Sequence, residues 1–65
     1  MELTINGKNE AADFTTMAAL LSSRELDASR VVVELNGKIL PKDDYATAKL
    51  ADGDVVEIVQ FVAGG

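Results

Sequence analysis

A chain of 65 residues with 48% hydrophobic content makes one small folding unit with a modest apolar core. It has no Cys and no His, so neither a disulfide framework nor the usual zinc-ligand set can brace it. Eleven acidic against six basic residues leave a net charge of −5, which argues against nucleic acid or an anionic membrane surface as partner and fits docking onto a basic protein surface. The Met1-Glu2-Leu3-Thr4 start lacks the basic segment and apolar run of a secretory signal. No stretch approaches the length of a membrane span, so the expected location is cytoplasmic.

Taken in chain order, Glu2 to Asn6 alternates Leu3 and Ile5 against Glu2, Thr4 and Asn6, the period of a half-buried strand. Asn6-Gly7 is a tight hairpin turn, because both residues tolerate positive φ. A weaker second strand is expected to return through about Asn9 to Asp13. Thr15 or Thr16 then caps a helix, and Met17, Leu20 and Leu21 form its apolar stripe at i, i+3 and i+4. Ser22 to Glu25 make its solvated end, and Leu26 folds back over the core. Phe14 is read as a staple-like contact at the helix entrance, although the acidic partner of a capping box is missing.

Arg30 to Asn36 reads as a strand with Val31, Val33 and Leu35 on one face and Val32 and Glu34 on the other. Asn36-Gly37 closes a second hairpin onto Lys38-Ile39-Leu40. Pro41 ends that strand and assigns it to a sheet edge, since proline has no N–H to donate. Lys42 to Ala48 is expected to be an irregular or single-turn helical connection anchored by Tyr45. Asp52-Gly53-Asp54 makes a third turn. Val55 to Phe61 is the longest apolar run, with Val56 and Ile58 facing the core, and suits a central strand flanked on both sides.

The order β-β-α-β-β-β predicts an α+β, β-grasp (ubiquitin-like) fold over residues 1–61, with a mixed sheet of about five strands and one main helix packed across it. In that arrangement a central last strand directs residues 62–65 away from the domain as a flexible Gly-Gly tail. Two glycines in succession make a thin backbone that can slide through a narrow channel and offer its carboxylate to another protein's active site. The plain alternative is a frayed end. No nucleophile–base constellation competes with that carboxylate, so no catalytic residue and no metal site is assigned. Lys8, Lys38, Lys42 and Lys49 read as solvated surface lysines, and the Asp43-Asp44 pair as solvated acids.

Several stretches together are similar to one family. They are Val31-Val32-Val33-Glu34-Leu35-Asn36-Gly37, then Ile39-Leu40-Pro41-Lys42 followed by Tyr45, then Leu50-Ala51-Asp52-Gly53-Asp54. The last runs on through Val56-Glu57-Ile58-Val59 to Phe61-Val62-Ala63-Gly64-Gly65, and Thr15-Thr16 with Ala18 and Leu20-Leu21 adds to the set. In this order they resemble the ThiS family of sulfur carriers of thiamine thiazole biosynthesis over essentially the whole chain. Two departures stand out. Phe14 takes a position where members often carry Gly, and Ala63 replaces a Gly found in many relatives.

The resemblance implies a cosubstrate carrier, not an enzyme, with no cofactor of its own. An adenylyltransferase related to the ubiquitin-activating enzymes would join the Gly65 carboxylate to AMP. A persulfide donor would then leave a thiocarboxylate there, and thiazole synthase would receive the sulfur. Gly64 would be the residue that threads the channel. Phe61 and Val62 are candidates for docking contacts, with sheet packing the equal alternative. A carrier for molybdopterin synthesis or tRNA thiolation is the nearest rival. A ubiquitin-like module that binds partners non-covalently through its sheet is the rival of another class.

Overall fold

A computed structural model of the chain describes residues 1–61; the expected tail, residues 62–65, lies outside the described residues. The elements in order are β1 (Glu2–Ile5), β2 (Lys8–Ala11), α1 (Met17–Ser23), a 3-10 turn (Ala28–Arg30), β3 (Val31–Leu35), β4 (Lys38–Leu40), a second 3-10 turn (Lys42–Asp44) and β5 (Val55–Gln60). The strands form one five-stranded sheet in the order β2-β1-β5-β3-β4. β5 runs parallel to β1 and antiparallel to β3, and both hairpins are antiparallel. With α1 laid on one face, this is the β-grasp arrangement. The last strand is central and β4 lies at an edge, as the apolar run and Pro41 predicted.

Both Asn-Gly turns adopt the left-handed backbone that reverses a hairpin in two residues. Asn6 and Gly7 have φ of 50° and 83°, and Asn36 and Gly37 have 53° and 84°. The tight first turn also corrects the second strand, which was expected to begin near Asn9. Ile5 pairs with Lys8 and Glu2 with Ala11, so the four residues of β1 limit β2 to Lys8–Ala11. The first strand correspondingly ends at Ile5, because Asn6 belongs to the turn. β3 begins one residue later than expected, since Arg30 closes the 3-10 turn capped by Asp27.

Thr16, rather than Thr15, caps α1. Its backbone is extended, and its hydroxyl oxygen accepts the Ala19 N–H at 3.2 Å. Phe14 packs against the core, but it stands two residues ahead of the cap, one step before the usual staple position. At the other end Glu25 holds a left-handed φ of 57°. Its N–H reaches the Ser22 carbonyl at 3.0 Å, and the Leu26 N–H reaches the Leu21 carbonyl at 3.0 Å, which makes a Schellman ending. Leu26 is thereby folded onto the core, as its position suggested.

Met17, Leu20 and Leu21 from the helix meet Leu3, Ile5, Val31, Val33 and Val56 from the sheet, with Tyr45 and Leu50 closing the side. Tyr45 is 3% exposed, and its hydroxyl donates to the buried Val31 carbonyl at 3.3 Å. The Ala18 N–H donates to the Tyr45 carbonyl at 2.9 Å, so the aromatic anchor ties the connection to both helix and sheet.

Among the described residues, one face of the sheet receives this covering and the other does not. The expectation that β5 is flanked on both sides holds for its neighbouring strands but fails for its faces. Val55 is 41% exposed and Val59 56% exposed, on the side away from α1. A single seven-residue helix cannot wrap two faces.

Candidate functional site

The residues assigned from sequence lie at the end of β5 and beyond it. Gly64, Gly65 and Val62 fall outside the described residues. Phe61 is described: its backbone N–H donates to the Arg30 carbonyl at 2.8 Å, which carries the β3–β5 ladder one step past Gln60. Its side chain remains 55% exposed. The sheet thus holds the Phe61 backbone and leaves its ring largely in solvent.

β5 is fixed in this position by both hairpins. On the β1 side the backbone ladder covers only Thr4↔Val55 and Ile5↔Val56. Asn6 extends it with its carboxamide, which accepts the Ile58 N–H at 2.7 Å and donates to the Ile58 carbonyl at 3.3 Å. On the β3 side Asn36 accepts the Val55 N–H at 2.8 Å and donates to the Asp54 carboxylate at 3.0 Å. The two turn asparagines therefore supply the left-handed corner and also clamp the central strand. Sequence reasoning found the first role from the Asn-Gly pairs. It missed the second, because no local signal places Ile58 beside Asn6.

The uncovered face of the sheet is assembled from alternate strand residues. Val59 stands opposite Val32, and Glu57 opposite Glu34, with Ile39 paired to the far side of Glu34. Ile39 is 70% exposed. Phe61 follows Val59 on the same side of the strand.

Elsewhere the polar groups are ordinary surface. The four lysines singled out from sequence are exposed, and the Lys42 ammonium donates to the Ser29 carbonyl at 2.7 Å. Asp43 and Asp44 are exposed in the second 3-10 turn, and among the described residues no three His, Cys, Asp or Glu converge on one point. The Ser29 hydroxyl and then the Ser29 backbone N–H hold the Asp27 carboxyl below the ordinary value; desolvation opposes them, and Arg30 and Lys42 add lesser favourable contributions. Among the described residues no helix is long and apolar enough to cross a membrane.

A five-stranded β-grasp domain with an exposed sheet face and a closing Gly-Gly sequence has informative relatives. A model of the ThiS family matches residues 2–65. The chain belongs to the ThiS family. It is 43% identical to the sulfur carrier protein ThiS of Bacillus subtilis, over 97% of this chain and 98% of that one. The crystal structure of a thiamine biosynthesis protein (ThiS) from Geobacter metallireducens matches with a TM-score of 0.84 at 38% identity, covering 100% of both chains. A thiazole synthase of Paramagnetospirillum magneticum is 45% identical over 100% of this chain, and the chain spans 20% of that protein's length. Family membership makes this chain a small sulfur-carrier protein of thiamine biosynthesis. Between the carrier pathways that the sequence left open, these relatives fall on the thiamine side.

Proposed function

We propose that this chain carries sulfur on the carboxylate of Gly65 and delivers it for the thiazole ring of thiamine. The observation that carries the reading is the family match, which runs through residues 62–65 rather than stopping at the folded core. A carboxylate resists nucleophilic attack because its charge and resonance oppose it, so it must first be activated. An adenylyltransferase supplies the activation: a Gly65 carboxylate oxygen attacks the α-phosphorus of ATP, and pyrophosphate leaves. The terminal sulfur of a donor persulfide then attacks the Gly65 carbonyl carbon, and AMP leaves with one carboxylate oxygen. A thiol reductant cleaves the remaining S–S bond and frees the thiocarboxylate.

Catalytic electrostatics belong to the partner enzymes, whose active sites exclude water and orient the acyl carbon. The chain contributes a folded handle over residues 1–61 and a thin tail over residues 62–65. Gly64 passes through the enzyme's channel, where any Cβ would meet the wall. Thiazole synthase receives the sulfur, and the exchange takes place in the cytoplasm. Support for that acceptor comes from the thiazole synthase relative that includes a stretch similar to this whole chain.

The test is intact mass after incubation with the adenylyltransferase, ATP and a sulfur source. The mass should rise by the difference between sulfur and oxygen, localised to Gly65. An unchanged mass, or a shift on an internal residue, overturns the mechanism. Gly64→Trp should abolish the shift and leave the melting curve unaltered. A tail-deleted chain that still supports thiazole formation would make the protein a non-covalent module instead.

A further inference from the structure

Asn6-Gly7-Lys8 and Asn36-Gly37-Lys38 are the same triplet, each preceded by an apolar residue, Ile5 or Leu35. An asparagine followed by glycine is chemically labile, because glycine has no Cβ to keep its backbone nitrogen away from the asparagine carboxamide. The glycine nitrogen, giving up its proton, attacks the asparagine Cγ. An N–Cγ bond forms, the Cγ–Nδ2 bond breaks, and ammonia leaves with the proton. Water then opens the cyclic imide at either carbonyl, which yields aspartate or isoaspartate. Asn9, the remaining asparagine, precedes Glu10 and lacks this open approach.

The fold opposes the reaction at both triplets in two ways. Ring closure needs the asparagine Cβ to eclipse the glycine nitrogen about the Cα–C′ bond. The left-handed turn, with φ of 50° at Asn6 and 53° at Asn36, keeps the two apart. Each carboxamide is also pinned to the central strand, and the pins are unequal. Asn36 Nδ2 donates to the Asp54 carboxylate at 3.0 Å, a charge-assisted bond, while its oxygen accepts the Val55 N–H at 2.8 Å. Asn6 Nδ2 donates to the neutral Ile58 carbonyl at 3.3 Å, and its oxygen accepts the Ile58 N–H at 2.7 Å. The strand pairings differ in the same sense: β3 and β5 are paired from Val31↔Gln60 to Leu35↔Val56, whereas β1 and β5 share only Thr4↔Val55 and Ile5↔Val56.

We infer that Asn6 and Asn36 are deamidation sites of this protein, kept unreacted by the clamps they form on β5, and that Asn6 reacts first in the folded domain. Reaction is confined to moments when a turn opens, so its rate follows the open population. The change is one-way. Aspartate at the second turn sets a new carboxylate against that of Asp54, and at the first turn it sets an acceptor against the Ile58 carbonyl. Isoaspartate routes the main chain through Cβ, which adds an atom to a turn that must reverse in two residues. Either product loosens β5, so one conversion raises the open population and quickens the other. The bonds that fix the strand leading to residues 62–65 therefore also set a chemical lifetime for the folded domain.

The test incubates full-length wild type at mildly alkaline pH, in buffer and in denaturing urea, and follows each site by peptide mass. In urea the matching triplets should convert at rates within about twofold of each other, since only their local sequence then acts. In buffer both should slow at least about tenfold, with Asn36 the slower. Equal rates in buffer and urea overturn the protection, and Asn36 converting first in buffer overturns the ranking. Asp54→Ala, checked for folding by circular dichroism, removes the charged acceptor. The ratio of Asn36 to Asn6 conversion in buffer should then rise at least about threefold, and a ratio that stays put overturns the clamp as its source. Independently of that variant, singly deamidated wild type, separated by its added charge, should melt below the unmodified protein. Equal melting would show that the carboxamides do not hold β5 and would overturn the inference.

Discussion

The two faces of one sheet follow opposite rules, although they are written on the same strands. On the side facing α1, Val31, Val33 and Val56 are wholly buried, and among the described residues no charged side chain is. One residue along in each strand, Glu34 and Glu57 face each other across the ladder, and Val59 is more than half exposed. Burial on the inner face stabilises the fold. The outer face keeps apolar area in water and opposes two carboxylates, which contributes nothing favourable to an isolated domain. Such a surface makes sense when its interactions are completed by another molecule.

The largest expected effect tests this division with one substitution at two positions of β5. Val56→Ala removes two methyl groups from a position that is 0% exposed, and should cost about 2–3 kcal/mol once the residual cavity is included. Val59→Ala, at 56% exposure, should cost less than about 0.5 kcal/mol. Urea unfolding of both variants checks the pair. In a domain this small the first loss is a large fraction of the total stability. Equal losses would mean that the outer face is structural, and would break the comparison.

A smaller effect, of opposite sign, sharpens it. E34Q/E57Q removes the like-charge opposition while preserving shape, so the free domain should gain up to about 1 kcal/mol in the same unfolding experiment. A variant that folds more tightly yet binds its partner less well would separate the requirements of the two faces. Destabilisation would show that the carboxylates have favourable partners within the domain.

The inner face was legible from sequence because its signals are local. Leu3 and Ile5 alternate, Met17, Leu20 and Leu21 share a helical stripe, and Asn6-Gly7 and Asn36-Gly37 ask for positive φ. The outer face was legible only in part. An apolar run from Val55 to Val59 reads the same whether one face or two are covered, and the opposition of Glu34 and Glu57 exists only once the β3–β5 register is set. Glu25 gives no sign of its left-handed backbone, because the Schellman bonds and the burial of Leu26 impose it from outside. Asn6 and Asn36 as clamps are illegible for a related reason: the strand they hold lies far along the chain. Within the candidate site, the sequence offered Phe61 as either a docking contact or a sheet-packing residue, but could not show that its backbone is paired while its ring is exposed. Gly64 and Gly65, the part read most directly from sequence, lie outside the described residues.

The smallest expected effect concerns a charge that belongs to neither face. Asp27 caps the 3-10 turn leading into β3, accepting the Ser29 N–H at 2.9 Å and the Ser29 hydroxyl at 2.7 Å. These bonds favour the ionised carboxyl, so its folded value lies below its unfolded one. The unfolded chain therefore binds the proton first as pH falls. The stability contributed by Asp27 is full above the ordinary carboxylate range and is lost as pH drops through the lowered folded value. Thermal melts of wild type and D27N across the acid range should converge at the lowest pH and separate above it, with D27N the less stable. The separation should be small, because the carboxyl is solvent-exposed and screened. A D27N deficit as large as that of Val56→Ala would assign structural weight to the polar surface, and the contrast between a fold-making inner face and a partner-facing outer one would no longer account for where this domain's stability resides.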